Sequence, residues 1–155
     1  MKSMQLIQSG NTAKDSTETR GWFVGHFIER SLGLRHSDDV ELKWGTHSAG
    51  EARTEWVTGE SRITIALLIS GKFEVEFRDQ TVTLSKPGDY AMWDRGVDHK
   101  WRVVEDAVIL TIRWPSLPDD NKEIERLGGA NTLEEDSLDA IARLKEADKR
   151  KSRMR

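Results

Sequence analysis

The sequence predicts an all-β protein, one antiparallel barrel or jelly roll of short strands followed by a short C-terminal helix. Three observations carry that prediction. Between residues 21 and 115 apolar and polar residues alternate with period two. Turn-forming residues interrupt the alternation at short intervals, as antiparallel sheets require. The run 62–70 (RITIALLIS) is apolar on both faces, which marks a central strand covered twice.

Taken in order, residues 1–20 are polar, rich in Ser, Thr, Lys and Gln, and read as a mobile arm. Nine candidate strands follow: 22–28, 40–45, 52–57, 62–70, 72–78, 80–85, 89–93, 98–104 and 107–114. In 72–78 Phe73, Val75 and Phe77 alternate with Lys72, Glu74, Glu76 and Arg78, and Ser70-Gly71 predicts a tight hairpin joining it to 62–70. Pro115 and Pro118 close the barrel zone, so the domain boundaries are 1–20, 21–115 and 116–155. In the last segment Thr132 and Glu135 form a capping box, and Leu138, Ile141 and Leu144 supply a narrow apolar stripe for a helix to about residue 148. The tail DKRKSRMR is basic, which a solvated helix end explains.

Composition narrows the function. Lys and Arg total 24 against 27 Asp and Glu, a net charge of −3 spread along the chain, so no global field draws nucleic acid. No segment approaches the roughly 20 apolar residues of a membrane span, and the expected location is the cytoplasm. With 0 cysteines, any metal would need nitrogen and oxygen ligands. Tryptophan numbers 6 against 1 tyrosine, and all six fall inside the barrel zone, where they fill a core or line a pocket.

The segment from Leu67 to Trp101, LLISGKFEVEFRDQTVTLSKPGDYAMWDRGVDHKW, resembles the second half of the cupin pattern. Its parts fall in the family's order: an apolar strand ending in Ser-Gly, an alternating strand, Pro87-Gly88-Asp89, a turn with Gly96, then His99 two residues before Trp101. The resemblance implies a cupin-type jelly roll and makes His99 an inward metal ligand. Strand parity agrees on its direction, since His99, Trp101 and Val103 share one face and Asp98, Lys100 and Arg102 the other. A core histidine satisfied by a neighbouring strand is the competing reading.

The first half of the pattern departs from the family. Thr64 stands at the glutamate position, and Thr58 and Glu60 stand where paired histidines would lie. His47 is the nearest substitute, which leaves His47, His99 and a carboxylate, Glu51 foremost with Glu55 or Glu60 as alternatives. That ligand set suits Fe(II), Mn(II), Ni(II) or Zn(II). Trp101, Thr64, Arg53 and His26 are the expected ligand-binding residues. His26 shares a face with Trp22, Val24 and Ile28, and Arg53 sits beside the pocket mouth as a candidate anion contact. Arg113 is read as an ion pair at a strand end, and His36 as solvent-exposed.

The function expected is therefore small-molecule binding, with a divalent metal held in the barrel. The alternative is a metal-free binding or sensing cupin, and a third reading uses His99 or His47 as a general acid or base. A homodimer is expected, because Ile63, Ile65 and Ile69 point outward and need covering.

Overall fold

The computed structural model describes residues 6–118 and the backbone of 121–123. A short helix α1 (Thr12–Asp15), capped by the Asn11 side chain, precedes eight strands. These are β1 (Trp22–Val24), β2 (Glu41–His47), β3 (Val57–Gly59), β4 (Ile63–Phe77), β5 (Thr81–Leu84), β6 (Tyr90–Trp93), β7 (His99–Trp114) and β8 (Asn121–Glu123). All ladder pairings are antiparallel. Among the described residues no helix is long and apolar enough to cross a membrane.

The architecture rests on two long bent strands. β4 and β7 pair along their whole length, from Ile63 opposite Trp114 to Phe77 opposite His99, with bulges between Leu68 and Phe73. Their bend divides the structure into two layers. The first is β1-β2-β7-β4-β6, using residues 107–114 of β7; the second is β8-β3-β7-β4-β5, using residues 99–105.

This corrects the hairpin expected at Ser70-Gly71. The chain passes straight through Gly71, where φ is +91° and a Cβ would lie 2.0 Å from the Asp106 carbonyl oxygen. The glycine serves a bend and a close approach of β4 to β7, not a chain reversal. The runs 98–104 and 107–114 likewise merge into one strand. The expected strand 22–28 stops at Val24, and 52–57 reduces to a bridge at Ala52 followed by β3. The N-terminal arm is ordered from Thr12 onward as α1 and a 3-10 turn at Thr17–Thr19, and the segment read as a linker supplies β8. The expected C-terminal helix and basic tail lie outside the described residues.

The core lies between the layers, with Ala66, Leu68, Phe73, Val75, Leu84, Ala91, Val103, Ala107 and Ile109 buried together. Within the first layer the usual polarity is reversed. Cross-strand register places Leu42, Ile112, Ile65 and Met92 in one row on the outer face, and Trp44, Leu110, Leu67 and Tyr90 in the next. The corresponding inner rows are Glu41, Arg113, Thr64 and Trp93, then Lys43, Thr111, Ala66 and Ala91. Apolar side chains thus face out, and several charged ones face in.

Candidate functional site

A bowl opens between the layers, with a cavity of about 70 Å³. At the roughly 30 Å³ that one water takes in the liquid, that is room for about two waters, so a ligand must be small or extend out of the bowl's mouth. The second layer contributes a hydrophobic wall: His99, Trp101 and Val103 alternate inward on β7, opposite Phe77, Val75 and Phe73 of β4. Phe73 and Trp101 stack at 5.4 Å, and the Trp93 ring lies 4.6 Å from that of His99. The first layer contributes Lys43, Thr64, Thr111 and Arg113, and β1 contributes Trp22.

Arg53 enters from the segment between β2 and β3. That segment is fastened along β7: the Gly50 amide donates to the Val103 carbonyl, the Val103 amide to Glu51, and the Arg53 amide to Trp101 at 2.9 Å. The tethering turns the Arg53 side chain into the bowl, where it is 3% exposed.

Below the bowl lies a buried ionic floor. Glu41, 1% exposed, accepts from Arg62 and lies 3.0 Å from Arg113 Nε through one oxygen; its other oxygen accepts from the Ser116 hydroxyl at 2.8 Å. Ser116 reaches this point after the cis Trp114–Pro115 bond. Its hydroxyl also accepts from the His26 amide at 2.9 Å and lies 2.7 Å from His26 Nδ1. Arg113 lies over the Trp22 ring, 4.1 Å from its centroid, so its guanidinium meets both Glu41 and the indole.

Of the seven site residues expected from sequence, five line the bowl: His47, His99, Arg53, Thr64 and Trp101. The other two stand elsewhere. His26 is occupied with Ser116 in the floor, because β1 ends before it and the chain turns away at Gly25. Glu51 lies outside the bowl lining and meets His47 from the far side, its Oε1 3.2 Å from Nδ1. His36, expected in solvent, is folded in, with Nδ1 2.6 Å from the Ile28 carbonyl oxygen. Lys43, Glu41, Arg62 and Ser116 were missed, whereas the ion pair expected of Arg113 at its strand end is present, with Glu41. The alternation of Glu41, Lys43 and Gly45 against Leu42 and Trp44 carried the signal, but the apolar set is ordinarily the buried one.

The donor set does not fit a mononuclear ion held by His47, His99 and Glu51. His47 packs on Trp101, 4.9 Å between ring centroids, whereas the ring beside His99 is that of Trp93, at 4.6 Å. Among the described residues the bowl lining contains Lys43, Arg53 and Arg113 and no carboxylate. Among the described residues no group of three or more His, Cys, Asp or Glu is placed to hold a metal. The imidazoles retain defined roles as hydrogen-bonding groups. Glu51 orients His47 through Nδ1, and His99 Nδ1 lies 3.0 Å from the Val97 carbonyl oxygen, which favours the Nδ1–H tautomer.

No protein-family model and no curated protein matches the chain. Solved structures do. KdgF from Halomonas sp. superposes with a TM-score of 0.50 at 24% identity, covering 56% of this chain and 79% of that one. A cupin superfamily protein from Desulfitobacterium hafniense gives a TM-score of 0.47 at 23% identity, over 52% of this chain and 72% of that one. The first of these superpositions shows a shared fold, and the chain has the cupin fold.

Proposed function

We propose that the bowl binds a small organic anion, with a carboxylate as the recognised group and no metal required. The observation that carries this reading is the bowl's charge: Lys43, Arg53 and Arg113 line it, each at most 9% exposed, and among the described residues no Asp or Glu does. Arg113 belongs to both bowl and floor, and the other described floor charges, Arg62 and Glu41, cancel, so bowl and floor together carry three positive charges. In a cavity walled by low-dielectric aromatic rings such a field concentrates anions. Planar guanidiniums also match carboxylate geometry.

Trp22 adds a further donor, since its buried Nε1 has no hydrogen-bond partner among the described residues. Thr64 and Thr111 supply hydroxyls, while Trp93 and Trp101 offer faces to an apolar portion of the ligand. The small cavity favours a molecule of a few carbons.

The test is a thermal-shift and calorimetric series with acetate, malonate and inorganic phosphate, with and without EDTA. Malonate is expected to raise the melting temperature, by an amount corresponding to about 2.7 kcal/mol at a hundred times its Kd, and EDTA to leave that rise unchanged. Arg53→Gln should weaken binding tenfold or more, as loss of a charge-assisted hydrogen bond does. Stabilisation by uncharged polyols alone, or only with added divalent metal, would reject the reading.

A further inference from the structure

A second cavity adjoins the bowl, a cleft of about 560 Å³ between β2 and the N-terminal arm, within the usual size range of ligand pockets. Lys43 and His47 line both spaces, so bowl and cleft meet at these two side chains. The cleft exists because the arm joins β2 late. β1 pairs with β2 at Lys43 and Leu42, and beyond them, among the described residues, only the Trp44 N–H donates to the arm's backbone, to the Gly21 carbonyl at 2.8 Å. Arg20 and Gly21 hold left-handed φ values of 51° and 94°, which set the preceding chain off the strand edge as the 3-10 turn and α1. Ala13, Thr17 and Arg20 form the far wall.

The near wall is an open sheet edge. Strand alternation turns the Thr46 N–H and C=O the same way as those of Trp44, away from β7 and into the cleft, where no described strand pairs with them. An edge of this kind takes up an extended peptide backbone. One residue of edge offers two hydrogen bonds, too few to hold a strand of another folded chain but enough to fix one residue of a small ligand. Glu51 also lines the cleft, its Oε1 3.2 Å from His47 Nδ1. Its charge opposes a ligand carboxylate there, whereas Lys43, Arg53 and Arg113 attract one into the bowl. A ligand is therefore oriented with its charged end inward and an uncharged body in the cleft.

We propose that bowl and cleft form one site for a peptide backbone ending in a free α-carboxylate, such as an N-acyl dipeptide. The carboxylate enters the bowl past Lys43, and the preceding residue pairs through its own N–H and C=O with Thr46. The inference rests on the anion reading of the bowl and supplies the body that its 70 Å³ leaves outside.

Calorimetry on the full chain compares N-acetylglycylglycine with octanoate, an apolar acid of equal backbone length, and with malonate. The peptide should bind about tenfold tighter than octanoate, the contribution of two backbone hydrogen bonds. Its carboxyl amide should bind about tenfold more weakly than the acid, for want of the charge. Thr46→Pro removes the N–H on the open edge, a place where strands accept proline, and should cancel the advantage over octanoate. Ala13→Trp, on exposed α1, should obstruct the cleft and do the same. Malonate, small enough to stay with the bowl, should bind both variants as it binds the wild type, which certifies their folding. A long peptide with the same carboxyl end that binds as well assigns the ligand to a polypeptide terminus, and one that binds more weakly assigns it to a free dipeptide. Octanoate binding as tightly as the peptide, or peptide binding untouched by both variants, overturns the cleft assignment alone. Failure of malonate to bind the wild type rejects the bowl reading beneath it.

Discussion

Replacing Glu41 with Gln tests the ionic floor directly. The substitution keeps the shape and removes one negative charge from a site that is 1% exposed. The Ser116 contact can survive, because a hydroxyl accepts from an amide as readily as it donates to a carboxylate. Arg62 and Arg113 cannot be compensated in that way, and the described charge of the floor doubles from one positive to two. Arg62 exchanges a charge-assisted hydrogen bond for a neutral one and Arg113 loses its close ion pair, which account for about 1–1.5 kcal/mol apiece. The uncompensated burial brings the total to the 3–5 kcal/mol typical of breaking a buried pair from one side. For a domain of this size that is a third or more of its stability, and a drop in Tm on the order of 10 °C or more.

The assay is urea unfolding followed by tryptophan fluorescence, with a double-mutant comparison. Adding Arg62→Met to Glu41→Gln restores the floor's original charge sum, so the pair should lose less than the sum of the two single losses. A Glu41→Gln loss below about 1 kcal/mol, or strict additivity with Arg62→Met, would refute the account of the floor as one charge-balanced unit.

Gly71→Ala should be among the most damaging single-methyl changes in the chain. Its Cβ would fall 2.0 Å from the Asp106 carbonyl oxygen at a φ of +91°, so the conformational strain of about 1–2 kcal/mol is joined by a backbone clash; urea unfolding should show a loss above 2 kcal/mol, with a neutral result counting against the described close approach. Acid unfolding should depend on Asp98, whose carboxyl is held below the usual range by the Thr58 hydroxyl and by Arg78, against the opposing effect of partial burial. Because the folded pKa is the lower one, the stabilisation is complete above about pH 4, the ordinary Asp value, and is lost as pH falls through the folded value. Asp98→Asn should therefore unfold with a shallower dependence on pH below 4, and an unchanged slope would show that the carboxylate is not linked to folding.

How much of this was legible in the sequence follows from the kind of signal each part emits. The second layer announces itself, because Phe73, Val75 and Phe77 face the core and their charged neighbours face water. Parity there also places His99 and Trp101 inward. The first layer is inverted: Glu41 and Lys43 are buried while Leu42 and Trp44 lie outside, so hydrophobicity points to the wrong face. Arg53 was placed beside the pocket from its position in a loop, but its burial depends on hydrogen bonds to β7, which lies some fifty residues along the chain. The Ser70-Gly71 pair was read by its local turn chemistry, whereas the tertiary need was for a missing Cβ against Asp106. Ser116 gives no local signal at all, because its partner Glu41 is 75 residues away.

The register of β7 also dictates when the bowl comes into being during folding. Pairing with β4 starts at Phe77 and His99, which are near neighbours in the chain, and runs outward to Ile63 and Trp114, which are much farther apart. The contacts of β2 with the same strand, ending at Glu41 and Arg113, span a still longer stretch. Closing longer loops costs more entropy, so the least costly sequence is a zipper that runs from the His99 end towards the Arg113 end and admits β2 last. The hydrophobic wall of the second layer then exists before Lys43 and Glu41 arrive, and the two histidines of the bowl meet the site at different moments: His99 at its first step, His47 at its last.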